Sequence, residues 1–174
     1  MLNHIIGSFQ SEFKESYQTI LVGGAEEPLY EPSSLHSDTG LSIVYFKEDY
    51  VSSALHEISH WCIAGASRRK CVDYGYWYHS ERGGRAQSRF EDVEIFPQAL
   101  EWILSVAVGT PFIVSADNLS LDDYNNKSFK VAVQKKVTAL LGEGLPKRIS
   151  QIAHLLSKGA VDHLDRSNYL NLPN

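Results

Sequence analysis

Apolar residues at the start of the chain recur at helical spacing. Leu2, Ile5, Ile6, Phe9, Phe13 and Tyr17 share one face of a 3.6-residue period and predict an amphipathic helix. Gly23, Gly24 and Pro28 end it. Residues 41–46, Leu-Ser-Ile-Val-Tyr-Phe, are β-branched and aromatic and predict a short strand. A helix from Tyr50 to Ala64 follows, with Gly65 placed as its C′ stop. Cys71 to Tyr78 has strand composition, and Gly83-Gly84 marks a turn after it. From Ser88 to Val108 the apolar positions Phe90, Val93, Phe96, Leu100, Ile103, Leu104 and Ala107 predict a largely buried helix, which Pro97 should kink or divide. Pro111 to Val114 predicts a further short strand. Asp123 to Leu141 and Pro146 to Lys158 predict two more helices, the second with proline at N1. From Asp165 onward the tail is polar and expected to be loosely held.

These elements predict an α+β fold, dominated by helices with a small β-sheet. The 174 residues suit one domain over residues 1–174, with no repeat, low-complexity tract or linker. With 43% hydrophobic and 21% charged residues, the composition is that of an ordinary globular protein. The longest apolar runs fall short of a membrane span, and no positively charged segment leads into an apolar one near the start. Neither membrane insertion nor secretion is expected. Without a secretory context, Cys62 and Cys71 read as reduced thiols, so the expected location is the cytoplasm.

Net charge is −5 and the isoelectric point about 5.8, which argues against general affinity for nucleic acid. Positive charge is uneven, however. Arg68, Arg69, Lys70, Arg82, Arg85 and Arg89 fall in one window, as either a solvated loop or a basic rim that steers an acidic macromolecule.

Candidate chemistry concentrates in Ala54-Leu55-His56-Glu57-Ile58-Ser59-His60-Trp61-Cys62. Histidines four apart on a helix project from one face and can converge on one cation. His-Glu-x-x-His is the pattern that holds a first-row metal with the glutamate beside the metal-bound water. Ala54, Leu55, Ile58 and Trp61 would bury this helix, and burying two unpartnered histidines is costly unless a metal relieves it. The plainer alternative is a His pair facing solvent. A third ligand is needed. Among Glu91, Asp92 and Glu94, Glu94 is flanked by Phe90, Val93 and Phe96 and is the one expected to point inward. Glu91 is the substitute, and His79 a further candidate. Acids here could instead simply favour a helix N-terminus. Two histidines and a carboxylate suit either hydrolytic zinc, with Glu57 as general base, or oxygen-activating Fe(II), with Glu57 handling protons and O2 in the open positions.

Several stretches together resemble one family. His56 to Gly65 (HEISHWCIAG), Val72 to Tyr78 (VDYGYWY), Phe90 to Glu94 (FEDVE) with Pro97 to Leu100 (PQAL), and Asp117-Asn118-Leu119 are similar to the bacterial elongation factor P hydroxylases. The similarity runs from the Glu27-Pro28 region to the helix near Pro146. It implies a non-haem iron enzyme that hydroxylates a lysine of elongation factor P already carrying a β-lysyl group. The implied arrangement of the metal-binding helix is like that of zincin metalloproteases. The implied ligands are His56, His60 and Glu94, with Fe(II) as the expected metal and Zn(II) able to occupy the same donors. Tyr74, Tyr76, Trp77 and Tyr78 could then line a slot for a long aliphatic amine, or simply pack as a strand. Arg68 and Arg69 could meet the protein substrate. Around His79 to Arg85 the chain departs from the family pattern, at the entrance rather than the ligands. Two alternatives remain: a zinc metallopeptidase using the same site, and a binding module with a structural metal. The second is weaker, since Cys62 faces elsewhere on the helix and a closed site needs a fourth donor.

Overall fold

A computed structural model gives the three-dimensional arrangement and describes residues 1–36, 38–73, 84–115, 127–159 and 161–173. Helix α1 spans Leu2–Tyr17 and is followed by strands β1 (Thr19–Ala25), β2 (Leu29–Glu31) and β3 (Ser42–Lys47). Among the described residues four α-helices follow: α2 (Val51–Ile63), α3 (Gly84–Val108), α4 (Lys127–Glu143) and α5 (Lys147–Ser157). The sheet has the order β1-β3-β2, with β1 parallel and β2 antiparallel to the central strand. The fold is thus α+β and helix-dominated, as the pattern predicts. No helix among the described residues is long and apolar enough to cross a membrane.

Strand β3 alternates buried and half-buried positions, so Ser42, Val44 and Phe46 turn toward the helices. Helix α1 packs on β1 and α5, and α2 packs on β3 and α3. Helix α3 is central, touching α2, α4 and α5. Ala99, Leu100, Ile103 and Leu104 are consequently fully buried. One aromatic cluster ties the N-terminal helix to α2. Trp61 sits with its ring centroid 5.1 Å from Phe9, 4.9 Å from Phe13 and 5.4 Å from Tyr17. The pairs with Phe9 and Tyr17 are edge-to-face, a geometry that adds roughly 0.5–1.5 kcal/mol beyond burial. They fix the last turn of α2, which carries His60.

Several elements differ from the expectation. The first helix stops at Tyr17 because Gln18 turns left-handed, at φ 50°, and Ile20, Leu21 and Val22 belong to β1. Gly23 and Gly24 mark a shift of strand register rather than a helix end. Gly65 stands at C′ of α2 but is not left-handed. Two arginines satisfy the carbonyls there instead: Arg148 donates to Cys62 O at 2.9 Å and to Ala64 O at 2.7 Å, and Arg69 donates to Ala64 O. Pro97 neither divides nor ends α3. It removes only its own N–H, while tight packing of Gln98 to Leu100 carries the helix through. Residues 111–114 alternate burial, with Phe112 and Val114 inside and Ile113 out, but they form no strand. No neighbouring strand pairs with them among the described residues, and Gln98 instead bonds the Ser115 backbone both ways, at 2.6 and 3.2 Å. Of the strand expected over Cys71 to Tyr78, only Asp73 forms a bridge, to Tyr30, and residues 74–83 lie outside the described part. Pro146 is the N-cap of α5 rather than its first helical residue. The tail after Asp165 is exposed over most of its length, yet Tyr169 anchors it. This ring is buried, its centroid 5.3 Å from that of Trp102, and Gln134 donates to its carbonyl at 2.8 Å.

Gly23 is where the sheet tolerates least. A Cβ there would lie 2.5 Å from Phe46 Cζ, and Phe46 is fully buried. Gly23→Ala is therefore expected to lower stability by about 1–3 kcal/mol, as overpacking does. A chemical denaturation midpoint equal to that of the parent chain would contradict this.

Candidate metal centre

His56 and His60 lie one turn apart on α2, on the side facing α3. Ala54, Leu55 and Ile58 bury the flanks of that helix, so the imidazoles are forced into the seam between the two helices. From α3 the seam receives Glu94, which is 3% exposed. Its Oε1 is 3.4 Å from His60 Nε2 and its Oε2 3.6 Å from His56 Nε2. The two Nε2 atoms are 3.0 Å apart. One donor atom from each of the three residues lies within 4.8 Å of the others. Glu94 Oε2 is buried without any hydrogen-bond partner, an arrangement that is costly for a carboxylate. Two imidazoles and a carboxylate, with one oxygen unsatisfied and every donor converging, fit a divalent first-row cation.

Charge in the seam is strongly coupled. Burial favours neutral His56, but the hydrogen bond and charge of Glu101, joined by Glu57 and Glu94, outweigh it and raise the imidazole to about 10. Burial likewise works against ionised Glu94, yet His60, His56 and Gln98 hold its carboxyl below the ordinary range. For Glu57, burial prevails over the opposing pull of His56 and His60 and raises the carboxyl.

Beside His56, His60 and Glu94 a pocket opens, lined by Tyr30, Val44, Glu57, His60, Trp61 and Ala64 together with Arg68, Arg69 and Asp73. The three donors identified in the sequence thus meet, and Glu57 faces the adjoining pocket. Glu91 is half-buried and not part of the group. Arg68 pairs with Asp73 at the rim. Arg69 lies over the Tyr17 ring, 5.5 Å from its centroid, and caps α2. Tyr74, Tyr76, Trp77, Tyr78, His79, Arg82 and Asp117 to Leu119 lie outside the described residues, as do the side chains of Arg85 and Arg89.

One residue of the site was not anticipated. Glu101, 6% exposed, accepts from His56 Nδ1 at 2.8 Å. The signal lay in the stripe Glu94, Gln98, Glu101, polar residues at i, i+4 and i+7 of a helix otherwise apolar in this stretch.

Comparison with known proteins agrees with this geometry. Residues 8–165 match the family described as elongation factor P hydroxylase. The elongation factor P lysine hydroxylase of Haemophilus influenzae is 43% identical, over 98% of this chain and 93% of that protein. Match and relative extend over the sheet, both seam helices and the pocket alike, so the chain belongs to the elongation factor P hydroxylase family.

Proposed function

We propose that this chain hydroxylates the β-lysylated lysine of elongation factor P in the cytoplasm, using O2 and Fe(II) held by His56, His60 and Glu94. The observation that carries the reading is the convergence of those three donors beside a pocket in a chain 43% identical to a protein named as a lysine hydroxylase of that factor. Bound there, iron would supply the electron-transfer chemistry that lets O2 attack an unactivated C–H bond. The balance is fixed: one oxygen atom enters the C–H bond, and the other leaves as water with two electrons and two protons from a reductant. Glu57, whose carboxyl burial raises, is suited to hold or pass a proton at the pocket wall. Tyr74, Tyr76, Trp77 and Tyr78, next in sequence after the pocket residue Asp73, would offer aromatic faces to the long amine. Arg68 and Arg69 at the rim would meet the protein substrate.

The zinc peptidase alternative needs room for an extended substrate strand. Tyr30 is the residue of β2 whose amide and carbonyl point away from β3, and both are taken by Asp73, at 2.7 and 3.0 Å. That edge beside the pocket is therefore closed to β-augmentation. This favours a single side chain as the group that enters.

Co-expression with elongation factor P in cells lacking their own hydroxylase tests the reading. The modified peptide is expected to gain one oxygen. A metal-loaded chain that leaves the β-lysylated peptide unchanged in mass would overturn it.

A further inference from the structure

Two imidazoles can each offer a metal only one nitrogen, and the other nitrogen decides which. His60 Nε2 and His56 Nε2 both face Glu94. For His56 the remaining nitrogen is engaged as well: Nδ1 lies 2.8 Å from Glu101 Oε2. Glu101 reaches this point from α3, seven residues beyond Glu94 on the same helix face, and its side chain is 7% exposed. A carboxylate so placed has one strong acceptor task, and the Nδ1–H of His56 meets it. Among the described residues, the hydrogen bond to His56 is its charge-paired contact.

We infer that Glu101 is a positioning residue: it fixes His56 as the Nδ1–H tautomer, so that the Nε2 lone pair faces Glu94 and His60. This inference rests on the metal reading above and deepens it. The carboxylate contributes in two separable ways. Its geometry orients the ring, and its charge makes the imidazole a stronger donor. Glutamine in its place can still accept from Nδ1–H, whereas leucine can do neither. One helix then supplies both a ligand and the partner that aims another ligand. This couples the α2–α3 packing to the metal geometry.

Co(II) binding to the full chain, read from visible absorption in competition with a chelator, separates the outcomes. Corrected for proton competition at His56, affinity is expected to weaken about tenfold in Glu101→Gln and about a hundredfold in Glu101→Leu. Nitrogen-15 spectra of the Zn(II)-loaded chain should show His56 with Nδ1 protonated and Nε2 bare in the parent and in Glu101→Gln, but not uniformly so in Glu101→Leu. Circular dichroism selects folded variants, with Glu101→Gln, close in volume, as the milder change. Unchanged Co(II) affinity in both variants, while His56→Ala abolishes binding, would overturn the role of Glu101 alone. Co(II) binding that survives His56→Ala would overturn the metal reading and this inference with it.

Discussion

Glu94→Ala is expected to abolish metal uptake and hydroxylation together, while making the metal-free protein only slightly less stable than before. The two halves of this result have one cause. In the metal-free protein Glu94 is almost wholly buried, and one of its oxygens has no hydrogen-bond partner. Its contacts to the two histidines, 3.4 and 3.6 Å, joined by Gln98, outweigh the cost of burying its charge and hold the carboxyl below the ordinary range. Leaving a buried acceptor unsatisfied costs about 1–3 kcal/mol, and deleting the side chain removes that cost along with the attraction to the histidines. With metal present the balance reverses. A ligand at about 100 times its dissociation constant stabilises the folded state by roughly 2.7 kcal/mol. For a chain of this size, each kcal/mol moves the melting temperature by about 2–4 °C. The parent should therefore melt several degrees higher when Mn(II) or Co(II) is added, and Glu94→Ala should not respond. A variant that retains the metal-induced shift would remove Glu94 from the ligand set.

How much of this was legible in the sequence follows from how local each signal is. His56 and His60 could be read directly, because both lie on one helix and the i, i+4 rule fixes their relation. Glu94 could be read from its apolar flanks, because burial of a lone acid in such surroundings needs a reason. Glu101 was harder. Helix α3 is buried on several sides, so its periodicity names no preferred face; the stripe Glu94, Gln98, Glu101 is the one local signal, and contact with α2 is what gives it meaning. Strand β1 was hidden for a related reason. Only Gln18 and Thr19 separate the last apolar position of α1, Tyr17, from Ile20, Leu21 and Val22, and the boundary is set by the left-handed turn at Gln18, a residue type with no strong signal for it. Residues 111–114 show the reverse case. Their burial alternates as in a strand, but a strand also requires a partner, which sequence pattern does not supply. The C-terminal anchoring by Tyr169 depends on a ring of α3 far away in the chain, Trp102, and no local pattern announces it.

Metal affinity should fall by about 100-fold between pH 8 and pH 6, with release of about one proton on binding. The direction follows from His56. Its imidazole is raised to about 10 in the metal-free protein, the Glu101 hydrogen bond and charge prevailing over burial. Throughout this window it is therefore an imidazolium, and Nε2 must lose its proton before it can act as a ligand. Each unit of acidity then costs about a factor of ten in apparent affinity. Stability without metal runs the opposite way. A folded-state value near 10 against an unfolded value of about 6.5 stabilises the metal-free chain fully below about pH 6.5, and that contribution is lost as pH rises through about 10. Acid thus favours the empty protein and base the loaded one. The same carboxylate that aims His56 sets how strongly protons compete for it. In Glu101→Gln the pH slope should flatten toward neutrality, because an imidazole without that charge beside it is already mostly neutral there. Calorimetric titration with Co(II) in buffers of differing ionisation enthalpy gives both affinity and proton count. A parent chain whose affinity stays level from pH 6 to pH 8, with no proton released, would show that His56 gives up no proton to the metal and would take it out of the site.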